Sequence, residues 1–249
     1  MATGAFPRVI ESRPRRLFAV GDIHGCVDEI RVLIEFLTTE RSLDERDQLV
    51  FIGDYIDRGR GSRQVIELML SLKQKWPHTV FLKGNHEDML LAFLGFEGQG
   101  GEVYLANGGK AFFDSYGIDP GASLSSMRNT LPATHLEFLR ALELGVVFGE
   151  FLFVHAGVNP NKSLHEQCND DLLWIRQEFV HSPHNFGKTI VFGHTAFNQV
   201  LLDLPYKIGI DTGAIFGNQL SIVELVDGDL YQVSVGESVV RTSSLRPLE

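Results

Sequence analysis

Short apolar runs recur along this chain, and each is followed within two residues by a glycine or a histidine. They are Leu17-Phe18-Ala19-Val20, Leu49-Val50-Phe51-Ile52, Val80-Phe81-Leu82, Phe151-Leu152-Phe153-Val154 and Ile190-Val191-Phe192. Runs this short, rich in β-branched and aromatic types and closed by turn-forming residues, read as buried strands. Between the first three the period changes. Ile30, Leu33, Ile34 and Leu37 recur at three- and four-residue steps and mark one face of a helix over residues 27–40. Further helices are expected over Ser62–Lys75 and residues 87–94. Strands alternating with helices in this way imply parallel neighbours joined by right-handed crossovers.

The second half reads differently. Residues 144–158, broken by Gly145, Gly149 and Glu150, suit a β-hairpin that delivers His155. Beyond Phe192, strands are expected at residues 199–203, 207–210, 219–225 and 230–235, with Asp227-Gly228 as a hairpin turn. They suggest an antiparallel meander beside or against the parallel half. Residues 95–143 interrupt the strand series with Gly95, Gly98, Gly100, Gly101, Gly108 and Gly109, then helical stretches at Lys110–Tyr116 and residues 132–142. This insertion reads equally as one wall of a substrate groove or as a structural excursion. Residues 1–16 read as an N-terminal extension, 17–245 as a single domain, and 246–249 as a tail whose Leu248-Glu249 resembles a vector scar.

Polar clusters sit where the strands stop: Gly21-Asp22-Ile23-His24-Gly25, Gly53-Asp54-Tyr55-Ile56-Asp57-Arg58-Gly59, Gly84-Asn85-His86-Glu87, His155-Ala156-Gly157 and Gly193-His194-Thr195. In open α/β sheets ligands bind at such strand ends. One Gly-Asp or Gly-His is an ordinary turn. Five in order, each after a strand-like run, are not. Carboxylates, imidazoles and an amide oxygen suit a borderline divalent cation such as Mn, Fe or Zn. No cysteine belongs to the set, which argues against a closed structural zinc site. Six ligands are many for one catalytic ion and enough for two that share a carboxylate, the usual arrangement for hydrolysing phosphate esters.

Composition narrows the picture. A chain of 249 residues, 44 % hydrophobic, can bury one sizeable core. The net charge of −10 gives no support to a nucleic-acid polymer as partner. Arg13, Arg15 and Arg16, a basic cluster ahead of the first long strand, read as a solvated edge. Two cysteines, Cys26 and Cys168, make no disulfide framework and suit a reducing cytosol. No run of about 20 apolar residues and no secretory core follow the start, so a cytoplasmic protein without a membrane span is expected. Of nine histidines, four lie in the clusters; His78, His135, His165, His181 and His184 are expected at the surface or behind the ligands.

The order Asp22-x-His24, Gly53-Asp54-x-x-Asp57-Arg58-Gly59, Gly84-Asn85-His86-Glu87 and two later histidines resembles the calcineurin-like metallophosphoesterases. Within them it looks like the phosphoprotein phosphatase branch of bacterial and phage lambda serine/threonine phosphatases. The resemblance runs from about residue 17 to about residue 225. It implies an α/β fold: a central mixed β-sandwich flanked by helices, in four α/β/β/α layers. It implies Asp22, His24 and a bridging Asp54 on one ion, and Asp54, Asn85, His155 and His194 on the other, with manganese the leading metal. His86 would protonate the leaving group, oriented by Asp57, and Arg58 would grip phosphate together with Asn85. The segment Asp171-Leu172-Leu173-Trp174-Ile175-Arg176 is similar to the one carrying the family's second arginine, which makes Arg176 the candidate. Asn107-Gly108-Gly109 with Ser115-Tyr116-Gly117 also resembles bacterial members.

The implied activity is hydrolysis of phosphoserine, phosphothreonine or small aryl phosphates by a hydroxide bridging two ions, with no covalent nucleophile. A symmetrical dinucleoside tetraphosphatase is the alternative: Asp57-Arg58 speaks against it, while His155-Ala156-Gly157-Val158-Asn159-Pro160 is compatible with it. A non-catalytic scaffold would require a missing ligand or acid, and none is missing.

Overall fold

The computed structural model describes residues 6–245. The chain opens with an edge strand, β1 (Arg8–Ile10), and a wholly buried one, β2 (Leu17–Val20). There follow α1 (Val27–Thr39), β3 (Gln48–Phe51), α2 (Ser62–Lys75), β4 (Val80–Phe81) and α3 (Asn85–Phe93). Residues 95–143 hold α4 (Lys110–Tyr116), α5 (Leu124–Thr130) and α6 (Ala133–Arg140). The second half contributes β5 (Gly145–Phe148), β6 (Phe151–Val154), α7 (Asn169–Trp174), α8 (Gln177–Val180) and β7 (Thr189–Phe192). It ends with β8 (Leu201–Asp203), β9 (Lys207–Gly209), β10 (Gln219–Glu224), β11 (Asp229–Ser234) and β12 (Arg241–Ser244).

These strands make two six-stranded sheets, ordered β1-β5-β6-β7-β9-β8 and β12-β11-β10-β2-β3-β4. Strand periodicity explains their stacking. Side chains alternate across a strand, and in β2 Leu17 and Ala19 enter the core between the sheets while Phe18 and Val20 enter a core beneath helices. β3 does the same with Val50 on one side and Leu49 and Phe51 on the other. In the other sheet Phe153 and Val191 face the seam, whereas Leu152, Val154, Ile190 and Phe192 meet Leu172 of α7 and Phe179 of α8. Each such fully buried side chain contributes about 1.5–3 kcal/mol of hydrophobic burial. Apolar residues on both faces explain why these runs look continuous and not alternating. The result is the mixed sandwich between helices that the sequence implied.

β2, β3 and β4 are parallel neighbours, as the alternation of elements required. The expected meander is corrected in one respect: it divides. β9 pairs parallel with β7 and antiparallel with β8 in one sheet, while in the other β10 pairs antiparallel with β2 and β11 antiparallel with β10. The basic cluster is an exposed edge at Arg13 and Arg15, as expected, with ion pairs added. Arg15 and Arg16 both reach Asp47, at 2.6 and 2.7 Å, and lock the entry to β2. Within residues 6–16, expected as an extension, β1 pairs parallel with β5. The tail 246–249 lies outside the described residues.

Candidate metal centre

Asp22 and His24 follow β2, Asp54 follows β3, Asn85 opens α3, His155 follows β6 and His194 follows β7. All six are buried, none more than 5 % exposed. Two triads gather within coordination reach: His24, Asp54 and His86, and Asp54, His155 and His194. Asp54 belongs to both. Its Oδ2 is 3.3 Å from His24 Nε2 and its Oδ1 3.5 Å from His155 Nε2. Asn85 Oδ1 joins the second triad, 3.0 Å from His155 Nε2 and 2.9 Å from His194 Nδ1. Asp22 stands at the rim of these triads, its Oδ2 accepting the His194 N–H at 3.0 Å and its Oδ1 buried without a partner.

The donor set fits a divalent cation on chemical grounds. His155 Nδ1–H donates to the Ile52 carbonyl at 2.9 Å, so in the neutral ring Nε2 bears the lone pair. That lone pair faces Asn85 Oδ1 and Asp54 Oδ1, acceptor against acceptor, which a cation among them would reconcile. His24 repeats the pattern: Nδ1–H donates to the Ile56 carbonyl at 2.9 Å, and Nε2 turns toward Asp54. Burial, ahead of the pull of Asp54, lowers His155; burial, with His155 and Arg176 adding to it, holds His194 well below the usual histidine range. Neutral imidazole is the ligating form. Burial also pushes Asp54 upward, but His155, His86 and His24 together hold it well below ordinary carboxylates. Asp22 goes the other way, raised by burial and by Asp211 and Asp54.

The backbone is bent to serve this cluster. Six non-glycine residues have positive φ among those described, and five are His24, Asp54, Asp57, Arg58 and His194. Such conformations cost on the order of 1–3 kcal/mol each and persist where the surroundings over-determine them. Glu87 supplies part of that restraint. Its buried carboxylate accepts the N–H groups of Asp54, Tyr55 and Gly84 at 3.0, 2.8 and 2.9 Å, tying the second motif to the third. Burial and Asp54 push it up to about 8 against those donors. The approach is tight enough that a Cβ at Gly84 would meet Asp54 Oδ1, and one at Gly193 would meet Asp22 Oδ1.

Two guanidinium groups border the cluster. Arg58 Nη1 lies 2.8 Å from His24 Nε2, and the ring of Phe216, 69 % exposed, stands 5.6 Å from its guanidinium carbon. Arg176 precedes α8 and reaches back, Nη1 donating to the His194 carbonyl at 2.7 Å. His86 Nδ1 bonds Asp57 Oδ2 at 2.7 Å, and its Nε2 is buried without a partner. Burial raises Asp57, against the bonds from His86 and Tyr104.

Three participants carried no role in the sequence reading. Glu87 was inside a recognised motif, but its contacts are to backbone. Asp211, 6 % exposed and raised first by burial, adds a carboxylate near Asp22. It obeys the same grammar, an acidic residue just past a strand and shortly before Gly213, and could have been found by it. Tyr104, whose hydroxyl donates to Asp57 Oδ1 at 2.6 Å, had no such signal.

Residues 15–217 match the calcineurin-like phosphoesterase family, and the chain belongs to it. It is thus a metallophosphoesterase, a hydrolase of phosphate esters. Serine/threonine-protein phosphatase 2 of Escherichia coli (strain K12) is 29 % identical over 233 residues, spanning 90 % of this chain and 100 % of that one. The asymmetrical bis(5'-nucleosyl)-tetraphosphatase of Geobacillus sp. (strain WCH70) is 26 % identical over 227 residues, spanning 81 % and 87 %. In fold, a solved protein assigned provisionally as a diadenosine tetraphosphatase superposes with a TM-score of 0.68 at 21 % identity, covering 91 % of this chain and 96 % of that one.

Proposed function

We propose that the chain is a metal-dependent phosphomonoesterase for phosphoserine, phosphothreonine and small aryl phosphates, with Asp22, His24, Asp54, Asn85, His155 and His194 holding two divalent ions, manganese first among them. The observation that carries this reading is the pair of guanidinium groups. Arg58, from the loop after β3, and Arg176, from the turn between α7 and α8, reach one cluster of imidazoles and carboxylates. A monoester dianion has terminal oxygens enough to meet two planar, bidentate donors at once. Bound cations would polarise a phosphoryl oxygen and activate water. Asp54, with one oxygen toward each triad, suits a shared ligand. His86, its Nδ1 fixed on Asp57, would give the proton on Nε2 to the departing oxygen.

A dinucleoside tetraphosphatase is a second reading with support of its own. The Geobacillus relative carries that name in its asymmetrical form, not the symmetrical form first expected. The exposed Phe216 ring beside Arg58 offers a face on which a nucleobase could stack. A turnover comparison decides: phosphopeptides, aryl phosphates, aryl phosphodiesters and diadenosine tetraphosphate at one enzyme concentration. Monoesters should give the highest kcat/KM. A higher value for diadenosine tetraphosphate than for every monoester would replace the first reading with the second.

A further inference from the structure

The segment 95–143 touches the site through Tyr104 and the pair Gly108-Gly109. Tyr104 is fully buried, its ring held between Phe93 and Phe113 at centroid distances of 5.5 and 6.0 Å. Its hydroxyl donates to Asp57 Oδ1 at 2.6 Å, and the other oxygen of that carboxylate is 2.7 Å from His86 Nδ1. An Asp carboxylate has a broad, two-fold final torsion. Gripped at one oxygen by a phenol, it can present the other to the imidazole in one orientation only.

The neighbouring glycines serve the same arrangement. Gly109 has φ −61, a value any residue adopts, so backbone freedom does not explain it. Space does: a Cβ there would lie 2.5 Å from Tyr104 Cε1 and 2.6 Å from Cζ. The Gly108 carbonyl accepts the Arg58 N–H at 3.2 Å, bracing a residue whose φ is 63. The insertion thus grips Asp57 by its side chain and Arg58 by its backbone.

We propose that Tyr104 is a positioning residue, which locks the Asp57 carboxylate so that His86 Nε2 faces the leaving-group oxygen, and that Gly109 is glycine to admit the tyrosine ring. The proposal rests on His86 being the leaving-group acid. It assigns the insertion a part in the chemistry and not only in the shape of a groove.

Tyr104→Phe keeps the ring and its aromatic contacts and removes the hydroxyl alone. It should lower kcat on alkyl phosphates by about 5- to 50-fold, within the loss that misplacing a catalytic group causes. KM should hold, and activated aryl phosphates should be turned over at nearly the native rate. Gly109→Ala, which pushes the ring away from Asp57, should show the same trend. In the Asp57→Asn background, Tyr104→Phe should add little. A readout apart from turnover is the His86 Nδ1 proton resonance of the zinc-loaded, diamagnetic protein, which should move in Tyr104→Phe. An unmoved resonance, or an equal loss across all leaving groups, overturns the proposal. His86→Asn serves as the reference. If it shows no leaving-group dependence, the acid role of His86 fails, and the proton resonance alone decides whether Tyr104 positions the pair.

Discussion

At Asp54 two oxygens face two groups of nitrogen ligands, so turning one oxygen into an amide removes charge from both at once. Asp54→Asn should bind fewer than two ions per chain by elemental analysis and lose nearly all turnover, because a shared carboxylate also balances the mutual repulsion of the ions. Two ions with near-native activity would refute a shared role. His86→Asn should keep its metal and lose about 10²–10⁴-fold on poor leaving groups, the usual worth of a general acid, with a smaller deficit on activated aryl phosphates. Cys26 is expected to be inert by contrast: burial, and then Glu29, push its thiol up to about 12. Alkylation of the folded protein at pH 8 should label the exposed Cys168 alone; mass spectrometry finding Cys26 modified at a similar rate would contradict that.

At the scale of elements, His184 gives the junction of α8 and β9 a pH signature. Its ring stacks on Phe179 at 5.4 Å, neither ring nitrogen has a hydrogen-bond partner, and burial, then Lys207, press it down to about 4. The fold therefore prefers the neutral ring. The associated stability is whole above the unfolded value near 6.5 and drains away as pH falls from there toward 4. Denaturant unfolding should register a loss on the order of 1–2 kcal/mol over that window, and His184→Phe should flatten this part of the profile. An unchanged slope in the variant would place the effect elsewhere. His184 was expected at the surface or behind the ligands, and the structure instead buries it among Phe179, Phe186 and Tyr206, partners from two separate stretches. The sequence was far more explicit where one element carries the whole message: the helix expected over Ser62–Lys75 is α2 to the residue, and the strands that carry the site were each within a residue or two of their bounds. The exposed strands β1 and β12 escaped because their side chains bury little and leave no alternation to read. The division of residues 199–235 between sheets was equally hidden. Pattern reports that a strand exists, whereas its neighbours are chosen by which face finds a core. The same limit applies to the site: ligand types and strand ends were plain, but Glu87 and Tyr104 act through backbone and tertiary contacts that no spacing encodes.

Seen whole, the candidate ligands are drawn from both sheets, three motifs from the β2-β3-β4 side and two from the β6-β7 side. Chelation should therefore do two things. It should abolish hydrolysis, with Mn²⁺ restoring it, and it should lower the thermal midpoint, because a cation bound only by the folded state stabilises it by mass action. Full activity in protein shown by elemental analysis to be metal-stripped would sink the metal-dependent reading. The contact between the His194 amide and the Asp22 carboxylate spans 172 positions of chain. During synthesis at about 5–20 residues per second, the early motifs wait on the order of ten seconds for the late ones. A ribosome-bound chain halted before Gly193 would own the first triad and lack the second, and added metal should not protect it from protease as it protects the finished chain. Packing of β2, β3 and β4 against their helices must then rest on apolar burial and on bonds made within the early motifs, such as those of Glu87.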